Sequence, residues 1–210
     1  MLVASLGTQP LPKDAPLAAG VDLLWRHPQV RSELGQLFDV LADRVDHVHE
    51  GVATHPDVPL QVHARYTGTE IQAAFDRYPD RATIPTWQAG VWWAREAQTD
   101  VFKFTLDKTS GGFSPTTRYR DYAISRELIH WESQSKTRAD DDDGQRYQHH
   151  AARGSSVMLF ARLRNDDRAF WFLGPATYVT HESEQPMAIT WKLAHPLPGD
   201  LFAQFAAAVA

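Results

Sequence analysis

The sequence contains no cysteine. Disulfides, thiolate metal sites and cysteine nucleophiles are thereby excluded, and the composition suits a reducing cytoplasm. No apolar run approaches the roughly 20 residues that a membrane-spanning helix requires, so no membrane partner is expected. The opening residues, MLVASLGTQPLPKDAPLAAG, lack a basic start followed by an apolar core and do not read as a signal peptide. No internal repeat is visible. Nor is there a glycine loop ending in Gly-Lys-Ser/Thr, so these residues do not form a nucleotide-driven motor. An excess of positive charge is missing too. The net charge is -5, whereas a nucleic-acid reader is usually basic. Four of the negative charges form one run, Asp140 to Asp143, and the remaining balance is close to neutral.

What is present is a globular composition. Hydrophobic residues make up 43% and charged residues 22%, which excludes a disordered chain. Seven Trp and ten Phe favour a β-rich fold with aromatic packing. Residues 1 to about 20 are rich in Pro, Ala and Gly and read as a flexible tail. From Pro28 to Val48, apolar residues recur at spacings of three and four, with Arg31, Glu33, Asp39 and Asp43 opposite them. That pattern predicts an amphipathic helix packed on a partner element. Thr67 and Glu70 form a capping box that predicts a helix over about 68–77, led by an extended segment over 61–66.

From Trp87 the pattern changes to strands. Gly90 to Glu96 and Asp100 to Leu106 read as a hairpin, the second with Val101, Lys103 and Thr105 on one face and Phe102, Phe104 and Leu106 on the other. Further strands are expected at 128–132, 155–164, 169–173, 176–180 and 187–193, and the ending suits a short helix. Strands gathered without alternating helices predict an α+β fold. We expect N-terminal helices, then a twisted antiparallel sheet or partly closed, PUA-like β-barrel, then a C-terminal helix. All of 21–210 is expected to be one domain.

The stretch from Phe113 to Tyr147 stands apart. It sets Tyr119, Tyr122, Trp131 and Tyr147 among Arg118, Arg120, Lys136 and Arg146. Rings that stack on bases, interleaved with cations that hold phosphates, point to nucleic acid. Ser125, Ser133, Gln134, Ser135 and Gln145 can both donate and accept, as base-edge readers must. His130 lies beside Trp131, while Lys108 and the pair Arg65-Tyr66 extend the candidate surface. The plainer reading puts Trp131 and Tyr122 in the core, the serines in turns, the arginines in solvent and Arg65 against a surface carboxylate. A metal-dependent nuclease built on Asp100, Asp107, Glu132 and Lys136 is the second reading. The spacing of Glu132 and Lys136 is wrong for the usual Glu-x-Lys, although both share one strand parity. A protein-docking module, using the Pro28 helix and the terminal FAQFAAAV, is the third.

The motifs PLQVHARYTGTEI, FTLDK, FSPTTRYRDYAIS, HWESQS, GQRY, LFARLR, FLGPATYV and PMAITWKL occur in one order. Together they resemble the domain of unknown function found at the C-terminal end of many bacterial helicase-like proteins, over roughly residues 21 to 200. The resemblance implies an accessory nucleic-acid-handling module of restriction or phage-defence systems, working beside a helicase or nuclease partner. The expectation is therefore a cytoplasmic DNA-binding module without cofactor, metal or assigned catalytic residue. Recognition of a modified base or backbone is its sharper form.

Overall fold

The computed structural model describes residues 11–42, 51–106 and 121–207. The chain divides into two compact units, one of Met1–Gly51 with Thr67–Trp87 and the other of Val52–Tyr66 with Gln88–Ala210.

The first unit holds α1 (Leu17–Trp25), α2 (Pro28–Ala42) and α3 (Gly68–Ala74). Helix α1 begins inside the stretch read as a tail, and Ala15 and Leu24 are buried. Pro28 opens α2, as its fixed φ and missing N–H favour. The apolar stripe of α2 is not covered as expected. Leu37, Phe38 and Leu41 are all about half exposed, and no residue of the helix is buried. Helix α3 confirms the capping box. The Glu70 carboxylate accepts from the Thr67 N–H at 2.7 Å, and the Thr67 hydroxyl accepts from the Glu70 N–H at 3.3 Å.

The second unit is built on one large sheet. Its strands are β1 (Arg65–Thr67), β2 (Val91–Ala94), β3 (Thr99–Thr105), β4 (Tyr122–Ala123), β5 (Leu128–Glu132), β6 (Ser156–Arg162), β7 (Ala169–Glu182) and β8 (Ala188–Leu193). Two more helices, α4 (Asp142–His149) and α5 (Gly199–Ala207), complete it. The sheet runs β2-β3-β6-β7-β8-β5-β4, with β1 paired to β7. The α+β class is as expected, with two corrections of detail. The sheet is mixed, because β3 and β6 run parallel while the pairs β2/β3, β6/β7, β7/β8, β8/β5 and β5/β4 are antiparallel. It is also not closed, since its end strands β2 and β4 do not pair with each other.

The strands expected at 169–173 and 176–180 are a single strand. Gly174-Pro175 reads as a turn from sequence, yet here it sits inside β7. Leu159 faces Gly174 while Phe160 faces Phe172, so Leu173 is an extra residue. Gly174 adopts φ +88°, a conformation that glycine alone takes without strain. A second irregularity leaves Val179 extra between Tyr178 and Thr180. These two bulges bend β7, and the sheet curls around its core.

That core is aromatic. Phe102 of β3 stacks on Trp131 of β5 at 4.4 Å with planes 8° apart, and Tyr147 and Trp191 meet Phe102 edge-on. Such pairs add roughly 0.5–1.5 kcal/mol each beyond burial. Strand β3 is covered on both faces rather than one. On its second face Val101 is buried, as are Met158, Phe160 and Phe172, together with Val52 and Leu60 from the preceding segment. The backbone of 63–64 ties that segment to β7, with the His63 N–H donating to the Phe172 carbonyl and the Phe172 N–H to the Ala64 carbonyl.

Helix α4 falls where sequence predicts an acidic loop. Asp141 is its N-cap, and its carboxylate accepts from the Arg138 N–H at 2.8 Å. Asp142 and Asp143 occupy the first turn, where carboxylates favour the helix dipole. Gly144 lets this turn lie on the preceding backbone, since a Cβ there would run into the Arg138 carbonyl. Gly144→Ala should therefore destabilise the domain by about 1–3 kcal/mol through overpacking, outweighing the roughly 1 kcal/mol gained in helix propensity. A lower urea midpoint would be the readout.

Candidate functional site

Beyond the Phe102–Trp131 stack, an open concavity of about 390 Å³ forms between strands that are not neighbours in the sheet. One side comes from β3, β6 and β7, with Lys103, Thr105, Arg162 and Phe170. The other comes from β5 and the residues around it, with Asp121, Glu132, Ser133 and Gln134. Trp131 also lines it but is only 3% exposed, its ring held in the core stack.

Each side is held by hydrogen bonds. The Arg162 guanidinium donates to the Thr105 hydroxyl at 2.9 Å, the Asp167 carbonyl at 2.7 Å and the Asn165 side-chain oxygen at 2.5 Å. It lies 4.8 Å from the Phe170 ring centre, and the Lys103 ammonium lies 5.5 Å from the same ring. Burial pulls the Arg162 guanidinium below its ordinary range, against the pull of Asp167 and Asp166. On the other side, buried Asp121 accepts from the Glu132 N–H at 2.9 Å. The Ser133 hydroxyl accepts from the Met187 N–H at 2.9 Å and donates to the Gln134 carbonyl at 3.2 Å. Gln134 is exposed at the rim, and Ser135 and Lys136 continue into an exposed turn.

Of the residues expected from sequence, the concavity thus gathers Trp131, Ser133 and Gln134. Lys108, Arg118, Tyr119 and Arg120 lie outside the described residues. Tyr122 and His130 are cross-strand partners whose rings stack at 4.6 Å on the sheet, with Tyr122 exposed. The Ser125 hydroxyl accepts from the Glu127 and Leu128 N–H groups, both at 3.1 Å, and shapes the β4–β5 turn. Gln145 donates to the Ala139 carbonyl at 2.7 Å, which anchors α4. Arg65 lies 4.0 Å from the Asp167 carboxylate and 5.4 Å from the Trp171 ring centre, so the surface-carboxylate reading of this arginine has its partner. The Tyr66 hydroxyl accepts from the Gln61 N–H at 2.9 Å.

Lys103, Thr105, Asp121, Arg162, Asn165 and Phe170 are among the contributors that sequence reasoning missed. Lys103 gave a signal, as a lone cation between two phenylalanines in a strand whose both faces are buried. Arg162 gave less, because one arginine at a strand end reads as solvated.

Arg146 and Tyr147 serve a different centre. Tyr147 is buried in the core, and burial pushes its phenol well above the ordinary range. Arg146 makes a bidentate pair with Asp100, Nε to Oδ2 at 2.7 Å and Nη2 to Oδ1 at 2.9 Å, and reaches Asp143 at 2.7 Å. Its guanidinium also covers the Trp93 ring at 4.6 Å. Burial draws the arginine down, but the two carboxylates outweigh it and hold it above its usual range. Asp100 is 1% exposed. Burial pushes its carboxyl up from 3.8 to about 6, although Arg146 opposes the rise. Both Asp100 oxygens are engaged by Arg146, while Glu132 of the nuclease reading stands in the concavity and Asp107 lies outside the described residues. Among the described residues, no three His, Asp or Glu side chains stand together as a metal-ligand set.

Because the folded-state value of Asp100 exceeds 3.8, the folded chain holds this proton more tightly than the unfolded one. The Asp100 contribution to stability is thus greatest below pH about 4 and falls as pH rises to about 6. Arg146→Met should cost about 3–5 kcal/mol at neutral pH by leaving Asp100 buried and unpaired. The loss should shrink on acidification, when Asp100 is neutral. Urea denaturation of both proteins across this pH range measures it.

Among the described residues, no helix is long and apolar enough to cross a membrane. No curated protein matches the chain. The curled sheet with its concavity, and the capped helix α3 beside it in sequence, fall within a stretch of known pattern. Residues 60–205 match DUF3427, a domain of unknown function, and the chain belongs to that family.

Proposed function

We propose that this domain binds DNA and receives one nucleobase, turned out of its stack, in the concavity between β3 and β5. The observation that carries this reading is the meeting of cations and base-edge chemistry in one opening. Lys103 and Arg162 lie over Phe170 on one side, while Glu132 and Gln134 stand on the other. Its volume of about 390 Å³ suits a base rather than a duplex, within the roughly 300–1,000 Å³ of small-ligand pockets. Lysine supplies the phosphate attraction that makes such binding sensitive to salt. The Gln134 amide supplies hydrogen bonds to a base edge.

The sharper form is recognition of a modified base or backbone. A curled, unclosed sheet with a concavity at one end supports comparison with PUA-like barrels that grip an extruded base. The ordered motifs support a cytoplasmic accessory role beside a helicase or nuclease of a restriction or defence system.

Gel-shift titration of plain and base-modified DNA, at about 50 and about 200 mM salt, tests the proposal. Affinity should fall steeply with salt, and Lys103→Ala should reduce the log–log salt slope by about one. Absence of binding to every DNA at the lower salt would refute the reading.

A further inference from the structure

Helix α2 is the least covered element of the fold. Every residue of it except Leu34 is exposed, although its sequence is amphipathic. Val30 is 41% exposed, Leu37 50% and Leu41 49%. A lone helix of this length is marginal in water, and Gly35 near its middle weakens it further. Local devices offset little of that. No acidic residue sits in its first turn and no basic residue in its last, so neither end of the helix dipole is neutralised. The hydrogen bond from Gln36 to Ser32 within it is 3.4 Å long and exposed. Such a helix draws its stability from packing its apolar face, so the stripe calls for an apolar partner.

The pattern of the stripe fits a second copy of itself. Val30, Leu34, Leu37 and Leu41 follow one another at spacings of four, three and four, the spacing of a paired-helix seam. Those spacings read the same in both directions. Turned end for end, a second copy sets its Leu41 against Val30 and its Leu37 against Leu34. The two-fold axis repeats both contacts, which closes four apolar layers. Charge selects the same order. A parallel pair would put Arg31, Glu33 and Asp39 each level with its own counterpart, like against like. In the antiparallel pair Arg31 stands level with Val40 of the second copy, Glu33 with Phe38 and Asp39 with Ser32. The two helix dipoles then oppose each other, and each supplies what the other's ends lack. We propose that this face is an interface between two copies of the chain, formed by antiparallel pairing of α2 through Val30, Leu34, Leu37 and Leu41. Two short helices make an interface smaller than the roughly 800 Å² per partner of a standard complex, so the dimer is reversible.

Sedimentation equilibrium of the full chain over about 1–300 µM tests the pairing, since association follows mass action. The mass should rise from 23.7 kDa toward twice that value. Leu37→Glu, which puts a carboxylate into both central layers, should weaken association at least about tenfold. Leu37 is half exposed in the single chain, so the variant should fold, and a thermal melt at the lowest concentration checks this. Because the chain has no cysteine, disulfide capture reads the orientation cleanly. An oxidised mixture of Leu34→Cys and Leu37→Cys chains, one carrying a mass tag, should give more of the mixed disulfide than of either symmetric one, since bonded Cα atoms lie within about 7 Å. A chain that stays monomeric throughout the range would overturn the proposal, and so would a dimer that Leu37→Glu leaves unchanged. Symmetric disulfides in excess of the mixed one would overturn the antiparallel order.

Discussion

Phe102 and Trp131 belong to strands separated by three others in the sheet, yet their rings lie face to face at 4.4 Å. A flat sheet keeps such strands far apart, since neighbours are spaced about 4.8 Å. The contact therefore requires the sheet to curl, and the two irregularities in β7 supply the bend. With Tyr147 and Trp191 meeting Phe102 edge-on, the stack closes the middle of the fold. Residues next along the two strands, Lys103 to Thr105 on one and Glu132 to Gln134 after the other, border the concavity.

The Asp100–Arg146 pair anchors α4 to the same strand. Both partners are charged and Asp100 is fully buried, so desolvation cancels much of their attraction. Its value lies in register. A bidentate pair has one geometry, and Asp143, Trp93 and the tight contact at Gly144 confine Arg146 and its helix further. Tyr147, the next residue, is thereby delivered to the aromatic core. The acidic run that weighs against DNA binding in a simple charge count is a helix start, and one of its members, Asp143, is tied to Arg146. That carboxylate accordingly opposes a nucleic-acid partner less than its formal charge suggests.

Local patterns were legible wherever neighbours in sequence are neighbours in space. The Thr67–Glu70 capping box and the β2–β3 hairpin rest on contacts within a few residues, and the strand at 128–132 and the terminal helix show in their own apolar patterns. Gly174-Pro175 misled because the same dipeptide makes a turn or a bulge according to what pairs beside it, and here β6 supplies the pairing. Asp140 to Asp143 misled because solvated loops and helix N-termini share a composition. The composition of 113–147 drew notice to Trp131, Ser133 and Gln134, which do reach the concavity. It equally drew in Ser125, Gln145 and Tyr147, whose hydrogen bonds or burial serve the fold.

The amino-acid sequence by itself determined the α+β class, the hairpin and cap positions, and the absence of thiol chemistry, since each follows from residue type or short-range periodicity. Only the tertiary structure decided that β3 pairs in parallel with a strand more than fifty residues away. It also brought Lys103, Glu132 and Arg162 to one opening and set Asp100 against Arg146. Those outcomes depend on side chains distant in sequence, and the energy that selects them comes from burying rings and pairing charges at long range. A pattern read along the chain carries no record of that until the sheet has curled.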